Sequence, residues 1–437
     1  MWTYYPELLE TPVPRYTSFP TAAEFSPHVG ADDAALALAA CSGDISLYAH
    51  IPFCEKICWY CGCNTSAANK QQRLSGYLDA LHREVAITGV RLGRDVSVRR
   101  VAFGGGSPNA VSPTDFVRLI DALTLHMPLD NPEWSIELDP RTLSNEWGEA
   151  LGWIGVRYAS LGVQTFDPAL QAAIGRIQPD ADIVRAVDLL RAGGVSSLNF
   201  DLMYGLPGQS LFELEATLER AVELGPDRIA LFGYAHVPLM LPRQRRIDDS
   251  ALPDQATRFA MAEFGCRLLT AAGYVAIGFD HFAKPGDPMA RALDQGRLHR
   301  NFQGFTDDPA KVLVGLGASA IGCYPDLLVQ NEKNSGRYRM LLSQDRLPAI
   351  GGVRRSTEDQ RRGAVIEALL CYGKARLEPD LAAEAAAKLG PFAARGLATL
   401  DGNVLTIDPG GLPYARTIAA LLDCYRQDSV RRFSSAI

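Results

Sequence analysis

From residue 45 onward, short apolar runs of strand character alternate with longer helix-like stretches, and this alternation limits the possible folds more than any other feature. Strands are expected at 45–51, 100–103, 134–138, 158–163, 197–203 and 228–232, with a seventh at 274–279. Helical patterns fill the gaps at 72–92, 180–192, 210–224 and 254–272, and at 112–127, where Ser112 and Pro113 have the order of a cap and a first helical residue. Strand and helix at this spacing build βαβ units, so an α/β fold with a partial barrel of six or more parallel strands is expected. The residues able to do chemistry cluster at or just past the C-terminal ends of those strands. They are Cys54, the 104–107 turn, Glu137 and Asp139, Gln164, Asp201, and Ala235 with His236. In such barrels the βα loops converge at that rim, which therefore carries the site.

The first strand runs into LYAHIPFCEKICWYCGCN at 47–64, where Pro52 ends the strand and Cys54, Cys58 and Cys61 follow with C-x-x-x-C-x-x-C spacing. Thiolates are soft ligands suited to iron–sulfur clusters or zinc. Three of them on one loop hold three corners of a four-iron cluster and leave the fourth iron open, as catalysis needs. The competing reading is a structural zinc completed by Cys63 or His50. Zinc sites more often pair two C-x-x-C halves across a longer loop, and this chain has no second half. The turn Gly104-Gly105-Gly106-Ser107-Pro108 after the second strand is not a G-x-G-x-x-G dinucleotide fingerprint, but glycines there let a ligand approach the backbone.

The flanks read differently. Residues 1–44 carry Pro6, Pro12, Pro14, Pro20 and Pro27 and are expected to form an irregular arm strapped to the main domain, 45–350. HRNFQGF at 299–305 is a polar and aromatic loop, and 312–323 is a small-residue run close to the sheet. From 351 to 437 a small, mostly helical, winged-helix-like domain is expected. Its first helix starts with Thr357 and Gln360 at capping-box spacing. A second helix at 380–389 stops at Gly390-Pro391, a strand pair lies near 400–407, and a last helix covers 414–425. These helices show no basic stripe, so the domain is expected to pack or act as a lid within the chain. A net charge of −7 over 437 residues argues against non-specific nucleic-acid binding. No apolar run reaches the ~18 residues of a membrane span. An N-terminus without a basic leader and nine mostly scattered cysteines point to a reducing, cytoplasmic setting.

The pairing of the cysteine loop with the glycine turn resembles the radical S-adenosylmethionine superfamily. More narrowly, the chain resembles the oxygen-independent coproporphyrinogen III oxidase family nearly end to end. The resemblance is carried by PRYTSFPTA at 14–22, the 47–64 loop, GGGSP at 104–108, IELDPR at 136–141 and LGVQTF at 161–166. It continues through NFDLMYGLP at 199–207, YAHVP at 234–238, DHFAKP at 280–285 and HRNFQGFT at 299–306. It implies a four-iron four-sulfur cluster on Cys54, Cys58 and Cys61. It also implies a first S-adenosylmethionine at Tyr48, Tyr60, Gly105, Glu137 and Ile321, with Tyr48 and Glu137 also expected to act in catalysis. A second would lie at Gly106, Ser107, Gln164, Arg176, Asp201 and Ala235, where Arg176 would pair a carboxylate and Asp201 would accept from ribose hydroxyls.

The implied reaction uses a 5′-deoxyadenosyl radical to convert two propionates of coproporphyrinogen III to vinyl groups, giving protoporphyrinogen IX. An electron donor such as a flavodoxin or ferredoxin, and a monomeric state, go with it. Arg243, Arg245, Arg246 and Arg300 are candidates to meet the substrate's carboxylates. The chain departs from relatives at Tyr158, with Arg157 displaced by one, and at its end, Phe433-Ser434-Ser435-Ala436-Ile437. A haem-binding chaperone on the same scaffold and a haem-degrading radical methyltransferase remain as alternatives.

Overall fold

A computed structural model describes residues 2–68 and 71–426; the C-terminal departure at 433–437 lies outside the described residues. Strands β1 (Gly43–Ile51), β2 (Val96–Gly105), β3 (Leu129–Leu138), β4 (Tyr158–Gln164), β5 (Ser197–Tyr204) and β6 (Arg228–Gly233) follow in chain order. Each lies parallel to the one before. Two short strands, β7 (Val275–Ile277) and β8 (His281–Ala283), extend this sheet beyond β6. Strands β9 (Leu313–Leu316), β10 (Ile321–Tyr324), β11 (Leu327–Asn331) and β12 (Ala349–Arg354) extend it beyond β1. The spatial order β12-β11-β10-β9-β1-β2-β3-β4-β5-β6-β8-β7 is open, a partial barrel rather than a closed one.

Helices Pro113–His126, Asn145–Ile154, Asp180–Ala192 and Leu211–Leu224 bury one face each against the sheet through Phe116, Leu119, Trp147, Ile183, Leu190, Leu214 and Leu218. At about 1.5–3 kcal/mol for each large apolar side chain removed from water, this layer is a principal source of stability. Ser112 caps its helix as expected, accepting from the Asp115 amide at 3.1 Å. Among the described residues no helix is long and apolar enough to cross a membrane.

Several expectations are corrected. The run at 274–279 is not the next parallel strand: β7 is the outer edge, antiparallel to β8, which itself pairs antiparallel with β6. The run at 312–323 lies in the sheet, because β9 pairs parallel with β1 from Ser46↔Leu313 to Ala49↔Leu316. A strand largely buried on both sides shows no alternation, so its pattern is hard to read. The arm contains a helix, Ala31–Ala39, started by the Asp33 carboxylate accepting from the Gly30 amide at 2.8 Å.

In the C-terminal module the capping box is Ser356 with Asp359, one residue earlier than the Thr357–Gln360 pair, and it opens a helix over Thr357–Tyr372. The second helix, Pro379–Ala393, runs through Gly390-Pro391. Pro391 has no amide to donate, so one carbonyl a turn before it loses its helical partner. A third strand, Lys374–Arg376, joins Val404–Ile407 and Ala398–Asp401. The expected last helix is instead a broken series, Pro409–Tyr414, Ala415–Ala419 and Ala420–Leu422. Tertiary contacts override helix propensity there: Asp423 accepts from the Tyr16 hydroxyl at 2.9 Å, and Tyr425 donates to Asp359 at 2.8 Å. The expected division at residue 350 falls within β12, which ends at Arg354.

Candidate active site

The cysteine loop leaves β1 at Pro52 and is pinned at both ends. Phe53–Cys54 pairs with Ser66–Ala67 as a two-stranded ladder, and the Trp59 amide donates to the Ile174 carbonyl at 3.0 Å. Gln244, fully buried, ties the loop to the segment after β6: its Nε2 donates to the carbonyls of Tyr60 and Ala235, both at 3.0 Å. Arg243 donates to Thr65 Oγ1 at 2.9 Å.

Positive charge is concentrated on Cys58. Arg176 Nη1 lies 3.2 Å and Arg141 Nη2 3.6 Å from its sulfur. Both arginines also meet Asp139, Arg141 through Nε at 2.9 Å and Arg176 through Nη2 at 3.4 Å. Burial opposes ionisation of Asp139, but these two guanidiniums overcome it and hold the carboxyl below its ordinary range. Burial would likewise strip charge from Arg176, and Tyr60, Asp139 and Cys58 keep it protonated. Arg176 also donates to the Gly162 carbonyl, from Nε at 3.1 Å and from Nη2 at 2.5 Å. Its fork is thus already engaged, so a bidentate grip on a carboxylate, as expected from the sequence, requires it to release a partner. Burial pushes the Cys54 thiol up to about 12, with Cys61 and Cys58 adding to the rise and a hydrogen bond with Ser107 opposing it. Cys61 is held down chiefly by hydrogen bonding from Cys63, whose amide donates to its sulfur at 3.4 Å.

The glycine turn passes directly beside this loop. Gly105 has φ +108°, and a Cβ there would stand 2.3 Å from His50 Cε1; one on Gly106 would stand 2.4 Å from the Phe53 carbonyl oxygen. The His50 ring is fixed by Tyr48 (3.1 Å), the Asn64 carbonyl (3.3 Å) and Ser319 (3.4 Å), and burial lowers it to about 4, so it is neutral. Tyr48 packs edge-on against Phe302 of the HRNFQ segment at 4.6 Å.

Glu137, at the end of β3, accepts from the Gly105 amide at 3.1 Å and is raised to about 7 by burial, with Asp201 adding to the rise. Asp201 on β5 is also raised by burial, although Ser160 and Asn199 donate to it at 3.0 and 2.8 Å. Gln164 ends β4 with φ +66° and is buried; Ile321 begins β10. Among the described residues no three or more His, Cys, Asp or Glu side chains are drawn together as a cage for one metal ion.

A family model, the radical SAM superfamily, matches residues 48–221, the stretch that carries this loop and turn. The oxygen-independent coproporphyrinogen III oxidase of Bradyrhizobium diazoefficiens is 40% identical over 440 residues, covering 98% of each chain. This chain belongs to the oxygen-independent coproporphyrinogen III oxidase family. The enzyme of that name from Paracoccus denitrificans is 41% identical, covering 96% of this chain and 95% of the relative. The solved coproporphyrinogen III oxidase of Escherichia coli, described as a radical SAM enzyme, superposes with a TM-score of 0.91. It is 34% identical and is matched over 97% of this chain and 100% of its own.

The cysteine loop with Tyr60 and the residues Gly105, Gly106, Ser107, Glu137 and Gln164 lie at or just past the C-terminal ends of β1 to β4. Tyr48 and Asp201 stand three residues before the ends of β1 and β5, Ala235 follows β6, and Ile321 lies across β9 from β1. Of the arginines at 243–246, Arg243 serves the cysteine loop, while Arg245 and Arg246 are exposed, Arg246 lying over Trp59 at 5.9 Å. Tyr158 lies between Arg100 and Arg228, whose guanidiniums face its ring at 5.9 and 5.2 Å. Sequence reading missed Gln244, hidden within the basic run RQRR, and it did not weigh Arg141 as a second cation beside Cys58. The spacing of IELDPR, with Asp139 two residues before Arg141, was the available signal.

Proposed function

We propose that this chain carries out the reaction its relatives are named for: oxidative decarboxylation of two propionates of coproporphyrinogen III to vinyl groups, giving protoporphyrinogen IX. The observation that carries this reading is a rim that holds Cys58 of the three-cysteine loop beside two guanidiniums and, next to them, two carboxyls raised by burial. Three thiols on one short loop suit a four-iron cluster, and Arg176 and Arg141 beside Cys58 offset the negative charge such a cluster brings. Cys54, Cys58 and Cys61 therefore hold a four-iron four-sulfur cluster in this account. Once bound, the cluster and S-adenosylmethionine supply the radical that takes a hydrogen from a propionate.

The chain's own groups do the rest. Glu137 and Asp201 favour a positively charged or hydrogen-donating ligand, because such a partner repays the desolvation that raises them. Tyr48, Tyr60, Gly105, Glu137 and Ile321 are assigned to a first S-adenosylmethionine. Gly106, Ser107, Gln164, Arg176, Asp201 and Ala235 are assigned to a second. Gly105 and Gly106 leave room for the His50 ring and the Phe53 backbone, and neutral His50 fixes the Tyr48 hydroxyl. The Phe302 segment over Tyr48 excludes water from that corner. A one-electron protein of flavodoxin or ferredoxin type supplies the electron.

Anaerobic incubation of cluster-loaded protein with reductant, S-adenosylmethionine and coproporphyrinogen III tests this. The mono-vinyl intermediate followed by protoporphyrinogen IX is expected on chromatography. Cleavage of S-adenosylmethionine without vinyl products, or haem binding without turnover, would overturn it.

A further inference from the structure

The substrate in the reading above carries four carboxylates, two of which survive the reaction and need a cationic hold. A second group of arginines, besides Arg243, Arg245 and Arg246, is assembled from three segments outside the βα core. Arg15 comes from the N-terminal arm, Arg300 from the strand His299–Asn301, and Arg416 from the C-terminal module.

Arg15 and Arg416 line a cavity of about 50 Å³ together with Phe232, Phe279 and Asp280. Tyr204 and Gly233, the last residues of β5 and β6, also line it, so it opens at the same end of the sheet as the active site. Arg300 packs its guanidinium over Phe279 at 5.2 Å and Phe305 at 4.1 Å, and Arg416 meets Phe279 at 5.6 Å. Arg15 lies over Phe232 at 5.4 Å.

The charges do not balance. Among the described residues Asp280 is the carboxylate facing all three arginines, and it also accepts a 2.7 Å contact from His281. Glu367 behind Arg300 is engaged by the Arg300 amide at 2.8 Å and by His299 at 3.4 Å. Arg300 Nη2 donates to the Arg15 carbonyl at 3.1 Å, yet among the described residues its Nη1 is buried with no partner, and so is Arg416 Nη1. A guanidinium N–H with no acceptor, in a place water scarcely reaches, is costly unless a ligand supplies one. Burial and then the like charge of Arg15 lower Arg416 to about 10, the mark of a cation short of counter-charge.

The cluster is continuous with the active site. Asp201 on β5 and His281 on β8 both pair with Ala230 of β6, so one row of side chains runs from Asp201 to His281 and its partner Asp280.

We propose that Arg15, Arg300 and Arg416 anchor a propionate carboxylate of the tetrapyrrole substrate, an arm other than the one being decarboxylated, with Phe232 and Phe279 against its apolar part. The cavity admits one carboxylate arm and not the macrocycle, which places the ring toward Asp201 and the cysteine loop. The three flanking segments then share a purpose: each delivers one arginine to the same acid. This inference rests on the function proposed above.

The test titrates coproporphyrin III, and separately its tetramethyl ester, into the full-length chain by fluorescence, for wild type, Arg416→Gln, Arg416→Lys and Arg15→Gln. Loss of a charge-assisted contact predicts binding weakened about 10- to 100-fold in the Gln variants. Arg416→Lys recovers part of it, and the ester binds all four proteins equally weakly. In turnover, KM for coproporphyrinogen III rises while S-adenosylmethionine affinity holds. Folding is checked by Tm, which should not fall in Arg416→Gln, since the change removes an uncompensated buried charge. Equal coproporphyrin binding by wild type and variants overturns the anchor and leaves the functional reading standing. The opposite case is also readable, by adding glutarate and following Tm. A rise in wild type that Arg416→Gln abolishes, without porphyrin binding, keeps the anion site and sinks the tetrapyrrole reading. Neither porphyrin binding nor a glutarate response overturns both.

Discussion

Arg176 is the cation that joins the cysteine loop to the rest of the rim, and its replacement by methionine has a cost that can be worked from its contacts. The guanidinium reaches Cys58, Asp139, the Gly162 carbonyl and the Gln178 side chain, all from a buried position. Removing one member of a buried charged pair costs about 3–5 kcal/mol when its partner is left uncompensated. Asp139 keeps Arg141, so the lower end applies, about 3 kcal/mol. Arg176→Lys keeps the charge but not the fork, and should cost about 1–2 kcal/mol. Urea unfolding of the cluster-free chain reads both changes, and S-adenosylmethionine titration of cluster-loaded protein should show affinity weakened at least tenfold in Arg176→Met. A methionine variant within about 1 kcal/mol of wild type, with unaltered affinity, would refute the claim that this arginine is a counter-ion built into the site.

Other perturbations have equally definite outcomes. Gly105→Ala combines a positive φ with a Cβ set 2.3 Å from a fixed His50 ring, so about 3 kcal/mol of stability should be lost and Tm should fall accordingly. Glu84 is buried among Tyr338 (2.5 Å), the Gly317 amide (2.6 Å) and Asn331 (2.8 Å), and burial raises it to about 7. Between its ordinary value of 4.5 and about 7 the folded state binds the extra proton, so stability should decline by about 3 kcal/mol as pH rises through that window. Glu84→Gln should remove that slope from urea titrations run at pH 4.5 to 7.5, and an unchanged slope would discard the assignment.

Much of this was legible in the sequence because βα units write their period plainly and because the rim residues follow strand ends. Cys54, Gly105, Glu137 and Gln164 could all be placed from where an apolar run stopped, whereas Asp201 stands within its strand, three residues before the end of β5. What stayed hidden depends on long-range contacts. β9 is four residues with an internal glycine, and only its parallel register with β1 makes it a strand. The broken end of the C-terminal module is set by Tyr16–Asp423 and Tyr425–Asp359, pairs separated by 407 and 66 positions. Gln244 looked like one polar residue in a basic run; its burial and its two carbonyl partners appear only once the loop after β6 folds over Tyr60. Two helices and the strand pair of the last module were readable, whereas its delivery of Arg416 to a cavity against the barrel was not.

The central claim is that Cys54, Cys58 and Cys61 alone hold the cluster, leaving one iron for S-adenosylmethionine, although Cys63 lies beside Cys61. Iron counting and electron paramagnetic resonance on anaerobically reconstituted Cys→Ser variants test it directly. The account predicts four irons and a spectral change on adding S-adenosylmethionine in wild type and Cys63→Ser, with both lost in Cys54→Ser, Cys58→Ser and Cys61→Ser. A Cys63→Ser protein that loses the cluster, or a wild-type cluster whose spectrum ignores S-adenosylmethionine, would contradict it.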